Sequence, residues 1–128
     1  LSSKITSSSA FIITCVGSLT KAIIRMANAD VTKTYEGHYE IVSLVGTIDP
    51  DGQHHMHISI SDADGNVFGG HVFAEHIIYT TGKLRFGMLL TKDSCEQAEI
   101  VVGTNDNEHY SRQDCPLSGW PELVVTPK

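Results

Sequence analysis

The tightest constraint on this chain lies between His54 and His71, where a strict two-residue alternation runs into a turn sequence and out again. His54, Met56, Ile58 and Ile60 fall on one face of an extended segment, and His55, His57, Ser59 and Ser61 on the other. Such a pattern reads as a half-buried strand. Asp64-Gly65 is a hairpin signal, and a three-residue loop Ala63-Asp64-Gly65 sets the glycine at the left-handed position that such a loop needs, with Asp62 opposite Asn66. In that register His57 stands directly opposite His71, and residues opposed across an antiparallel pair share a face. Three imidazoles then converge. A two-residue Asp64-Gly65 turn instead slips the pairing by one residue and sends His71 to the apolar face. Gly69-Gly70, just before His71, suits either a bulge that absorbs such an offset or the close approach of a ligand to the backbone.

Neutral imidazole suits zinc, and three protein ligands with water in the fourth position make an open site rather than a closed structural one. His55, His57 and His71 are therefore the candidate metal ligands, for Zn2+ or a similar divalent ion. A solvated strand face with unrelated histidines is the alternative for a lone His-x-His pair, and the third, cross-strand histidine tips the reading toward a metal. Metal-assisted chemistry usually wants a carboxylate to move protons, which makes Glu75 and Glu40 candidates, each weighed against an ordinary surface carboxylate. His76, His38, His54 and His109 have no spacing that joins the triad. Ser59 and Ser61 share the histidine face but lack a neighbouring base, so nucleophilic catalysis is not expected of them. Asp62 and Asp64 are explained by turn chemistry, the loop being too short for a calcium site and lacking its bidentate glutamate. Trp120 is expected to anchor the carboxy-terminal segment on the core.

At 128 residues the chain fits a single domain, 1–128, and 41% hydrophobic content is ordinary for a globular protein. Its formal charge is −6, with 9 Lys and Arg scattered among 15 Asp and Glu, which argues against a phosphate-tracking surface and direct nucleic-acid binding. No apolar run is long enough to span a bilayer, so no membrane partner is expected, and no basic segment precedes an apolar stretch as in a secretory signal. Cys15, Cys95 and Cys115 cannot all pair and show no Cys-x-x-Cys spacing. Reduced thiols in a cytoplasmic or nuclear compartment fit that usage.

Elsewhere, Phe11–Val16 reads as a buried strand, Gly17-Ser18 as a turn and Ala22–Met26 as a returning strand. Asn28 to Gly37 reads as a polar loop, His38–Ile48 as β-rich, and Asp49-Pro50-Asp51-Gly52 as a turn. Further strands are expected around Ile77-Ile78-Tyr79, over Ala98–Gly103 and at Leu123–Val125, with Thr104–Ser118 a loop. The fold class is α/β in the α+β sense, mainly an antiparallel sheet with one flanking helix. A single sheet cannot bury both faces, so a partner surface is implied, and self-association is the simplest source.

Val16-Gly17-Ser18-Leu19-Thr20-Lys21-Ala22, Tyr39-Glu40-Ile41-Val42-Ser43-Leu44-Val45-Gly46-Thr47 and His55 to His71 together strongly resemble the PPC domain, conserved between plants and prokaryotes. The resemblance runs from about Ala10 to Val125, Gly119-Trp120-Pro121-Glu122-Leu123 being similar to the family's closing motif. It implies a homotrimer and, as in many prokaryotic-type members, a metal held by histidines matching His55, His57 and His71. A relation in fold to acetolactate decarboxylase, whose zinc sits on a His-x-His pair and a later histidine, raises an enzyme reading by analogy alone. In plant members the domain accompanies AT-hooks and serves trimerisation and partner recruitment; this chain has no Arg-Gly-Arg-Pro core, so that DNA-binding activity does not carry over. Two departures stand out. On this resemblance the family's amino-terminal strand and most of its helix are expected to fall before Leu1, and Gly82 to Gln97 interrupt what is otherwise a run from Tyr79-Thr80-Thr81 into Ala98-Glu99-Ile100-Val101-Val102-Gly103, so 82–97 is expected to be an insertion. The function implied is an oligomerisation and protein-interaction module linked to transcription regulation; the alternative is a zinc-dependent lyase or hydrolase acting on a small molecule, with Glu75 moving protons.

Overall fold

The computed structural model describes residues 9–28, 30–72 and 98–128. Seven strands occur among them: β1 (Ser9–Arg25), β2 (Thr32–Ile48), β3 (His54–Ser61), β4 (Val67–Val72), β5 (Ala98–Asn105), β6 (Glu108–Cys115) and β7 (Trp120–Pro127). Every pairing is antiparallel. One sheet has the order β2-β3-β4-β1-β5, and because β1 also pairs with β2, the first four strands form a closed ring. β6 and β7 make a separate two-stranded sheet.

The ring exists because its strands alternate. Leu19, Ile24, Ile41, Leu44, Met56, Ile58, Ile60 and Val72 turn inward and are buried, Ile24 and Ile60 completely. Full burial of such a side chain contributes about 1.5–3 kcal/mol before ordering costs. Tyr35, Tyr39 and Phe68 cover one side of this core, with Tyr35 and Phe68 ring centroids 4.9 Å apart. The mainly antiparallel β architecture expected from the sequence is what forms. No helix occurs among the described residues, hence none that could cross a membrane.

Three local expectations are corrected. Gly17-Ser18 is not a turn: the ladder runs through it, Gly17 facing Ile41 and Ser18 facing Glu40, and β1 bends instead at an irregularity between Leu19 and Lys21. The loop expected over 28–37 is shorter, because β2 begins at Thr32 and takes its register from β1, with Tyr35 opposite Ala22 and Lys21 Nζ 2.6 Å from Glu36 Oε1. The loop expected over 104–118 contains β6, a strand with little buried apolar surface. Pairing fixes it instead: eight successive rungs join β6 to β7, and Ser9 Oγ accepts the Tyr110 N–H at 2.7 Å while donating to the Glu108 carbonyl at 3.0 Å. The Asp49–Gly52 turn forms as expected, the Asp49 carboxylate accepting the Gln53 N–H at 2.7 Å. The strand expected around Ile77–Tyr79, the insertion 82–97 and Cys95 lie outside the described residues; Cys15 and Cys115 are free thiols.

Candidate metal centre

The hairpin from β3 to β4 takes the three-residue loop. Asp62 N–H donates to the Asn66 carbonyl at 3.0 Å, Gly65 N–H to the Asp62 carbonyl at 3.1 Å, and Gly65 has φ +82°. The Asp62 carboxylate accepts the Asn66 amide side chain at 2.9 Å and the backbone N–H groups of Asn66 and Asp64 at 2.8 and 3.0 Å. These bonds, the Asn66 side chain first, hold its pKa below the usual carboxylate range. The loop sets the register: Ser61 faces Val67, Ser59 faces Gly69, and His57 faces His71. No bulge intervenes at Gly69-Gly70. The glycines serve close backbone approach instead, since a Cβ on Gly69 would stand 2.6 Å from the Ile58 carbonyl oxygen and one on Gly70 2.4 Å from that of Arg25.

His55, His57 and His71 therefore leave the ring on its outer face, with one potential ligand nitrogen from each within 4.8 Å of the others. The Nε2 atoms of His55 and His57 are 3.1 Å apart, and His71 stands edge-on to both rings, with centroids 5.0 and 5.4 Å away. Tetrahedral zinc with nitrogens at about 2.0–2.1 Å needs those nitrogens about 3.3 Å apart. The first pair already meets that spacing, and a ligand nitrogen of the third ring lies within 4.8 Å of them. The electrostatics fit as well, because a metal takes neutral imidazole. Burial, then the neighbouring charges of His57 and Arg112, lowers the His55 pKa; Glu122 pulls the other way, and Arg25 adds a further, smaller lowering. Burial and then Arg25 push that of His71 down to about 4.

A cavity of about 370 Å³ opens over the rings, walled by Arg25, Trp120, Pro121 and Glu122. Arg25 arrives because the seam between β1 and β4 pairs it with His71, and its guanidinium carbon lies 4.8 Å from the Trp120 ring centroid. Arg112 borders an adjoining cavity of about 250 Å³ and donates to Thr47 Oγ1 at 2.6 Å, Thr47 being the cross-strand partner of His55. Trp120 is thus half exposed, a cavity wall and not the core anchor expected of it. Sequence reasoning missed Arg25, Arg112 and Glu122, all brought by long-range pairings with no local signature. Glu40 faces Ser61, two rungs beyond Ser59, and does not line the cavity; Glu75 and His76 lie outside the described residues. His54 reaches the adjoining cavity, while His38 and His109 stay away from both.

The family model of the Plants and Prokaryotes Conserved (PCC) domain matches residues 2–90. Bifunctional protein GlmU of Synechococcus sp. (strain JA-2-3B'a(2-13)) is 33% identical over 117 residues, 91% of this chain, which spans only 16% of that protein. A hypothetical protein from Salmonella cholerae-suis has the same fold at a TM-score of 0.79 and 28% identity, over 98% of this chain and 79% of that one. A metal-containing protein from Archaeoglobus fulgidus shares the fold at a TM-score of 0.62 and 21% identity, over 91% of this chain and 74% of that one. The motifs that resembled one family in sequence, the ring of strands that they build and the match over most of the chain agree, and this chain belongs to the Plants and Prokaryotes Conserved (PCC) domain family.

Proposed function

We propose that this domain is a self-associating module that holds a divalent ion, zinc or one like it, on His55, His57 and His71, and that it serves as a platform for protein partners linked to transcription regulation. The observation that carries the metal reading is the cross-strand pairing of His57 with His71, which puts the third imidazole on the face of the other two. The name of the Archaeoglobus fulgidus relative, a metal-containing protein, supports it. Such an ion supplies Lewis acidity at an open position. The chain contributes His55 and His71, kept neutral by burial and by nearby guanidinium groups, together with His57, and a carboxylate, Glu122, whose charge reaches His55.

Self-association is supported by an exposed apolar face. On β1 and β2, which pair with each other, Ile13, Val45, Val16 and Val42 are more than half exposed, at 59%, 54%, 53% and 53%. Exposed apolar surface of this kind is typical of a protein interface. A homotrimer is the expected assembly, with a scattering mass three times the 13.9 kDa of the chain. Elemental analysis tests the metal: about one ion per subunit in the wild type and close to none in folded His57→Ala, whereas equal content in both removes the site from consideration.

One feature favours a second reading, a zinc-dependent lyase or hydrolase acting on a small molecule: the cavity leaves the histidines open to a ligand and places Glu122 in its wall. In that case Glu122 is a carboxylate placed to move the proton. Turnover of small oxo or hydroxy acids that vanishes in both His57→Ala and Glu122→Gln supports this reading, and turnover indifferent to either excludes it.

A further inference from the structure

We propose that the cavity over the three histidines takes a small oxygen-donor chelating ligand that carries an apolar group, and that Trp120 and Pro121 are the wall against which that group lies. The inference rests on the metal reading above and adds the class of molecule that shares the ion.

Its first support is the make-up of the cavity. Beside the three imidazoles it is lined by Met26, Ala27, Trp120 and Pro121, brought there from the end of β1 and the start of β7. Apolar walls around a few convergent polar groups are the usual composition of a small-molecule site. The two kinds of lining ask for two kinds of ligand surface: an ion on the imidazoles takes oxygen donors, whereas indole and pyrrolidine rings are covered to advantage by hydrocarbon. At about 370 Å³ the cavity lies near the small end of the range for such sites, which fits one small molecule.

The second support is the way Trp120 is presented. It keeps 51% of its surface exposed, and it lines both this cavity and the adjoining one of about 250 Å³. Its place is set from two sides. In the turn before it, Gly119 at φ +74° donates its N–H to the Cys115 carbonyl at 2.8 Å, and the Trp120 N–H donates to Ser118 Oγ at 3.3 Å. The Arg25 guanidinium carbon, carried by the ring, lies 4.8 Å from the centroid of the indole. A tryptophan held in this way has given up its rotamer freedom before any ligand arrives, so an apolar group that covers it does not also have to order it.

The experiment loads the chain with Co2+, whose visible spectrum reports its ligands, and titrates wild type and Trp120→Ala with acetohydroxamate and benzohydroxamate. These probes chelate through the same pair of oxygens and differ in a methyl against a phenyl group, and their affinity ratio is taken relative to that for Co2+ free in the same buffer. The wild type should prefer the phenyl probe by about tenfold or more, since even one methylene in a hydrophobic pocket is worth about that much. Trp120→Ala should keep its cobalt, measured by mass, and its affinity for acetohydroxamate, and should lose most of the preference. Trp120→Thr, a residue suited to a strand, gives the same reading if the alanine variant does not fold. Equal wild-type affinity for the two probes, a preference unchanged in the variants, or a cobalt-loaded wild type indifferent to both overturns the apolar subsite and leaves the metal reading standing. A wild type that takes up no more cobalt than His57→Ala overturns both.

Discussion

The β3–β4 hairpin buries Met56, Ile58, Ile60 and Val72 and is bonded along both outer edges, to β2 and to β1. The β6–β7 hairpin turns Trp120, Leu123 and Val125 substantially to solvent and, among the described residues, ladders only with itself. Among the described residues, side chains tie it to the ring at Ser9, Thr47 and Arg25. The candidate ligands ride on the first hairpin and part of the cavity wall on the second. Ligand geometry is thereby fixed by a packed core, while the wall belongs to the part with the fewest buried contacts, where local opening costs least.

The sharpest way to break this contrast is to cut the core. Ile60→Ala should cost about 3 kcal/mol, within the range for a buried isoleucine, and take the metal site down with the ring, as read by denaturant unfolding and metal content. Leu123→Ala on β7 should cost far less, and equal losses would mean that the second hairpin is as integral as the first. Next in size is Ser9→Ala, which leaves the Tyr110 N–H and the Glu108 carbonyl without their shared hydroxyl and should cost about 1–2 kcal/mol. Hydrogen exchange should quicken in β6 while the amides of β3 stay protected; uniform acceleration would dissolve the distinction. The smallest effect is in pH. Because the folded pKa values of His55 and His71 lie below that of free imidazole, the unfolded chain binds more protons below about pH 6.5. Stability of the metal-free protein should be level above that pH and decline toward about pH 4, where His71 takes its proton, and His71→Gln should flatten the decline. A wild-type profile already flat would mean that burial and the neighbouring Arg25 do not hold His71 neutral.

The same contrast explains what could be read from the residues alone. Around Asp62–Asn66 the turn, the register and the convergence of His55, His57 and His71 were all legible, because loop chemistry and a period of two are local and one-sided burial forbids a slip. The strand Glu108–Cys115 was not, since it is held by a partner strand and by a serine about a hundred positions away, and its own residues carry no apolar alternation. Arg25 was hidden for a related reason. Its place beside His71 depends on a seam that, among the described residues, joins Ile24 with Val72 and Arg25 with His71, and that no stretch of sequence near either residue announces.

All three candidate ligands lie within His55–His71, on two strands joined by one tight loop. Loop-closure entropy over so short a span is small, and hairpins of this kind close in about 1–10 μs. The set is complete before the long strands Ser9–Arg25 and Thr32–Ile48 need to find each other. A cation that requires all three imidazoles distinguishes the native pairing from its one-residue neighbour, in which His71 points the other way. The histidines therefore act as a gauge of alignment as well as a binding site: the pairing that holds the ion is the pairing that sends Met56, Ile58 and Ile60 inward, so the ring's core is specified from its outer face.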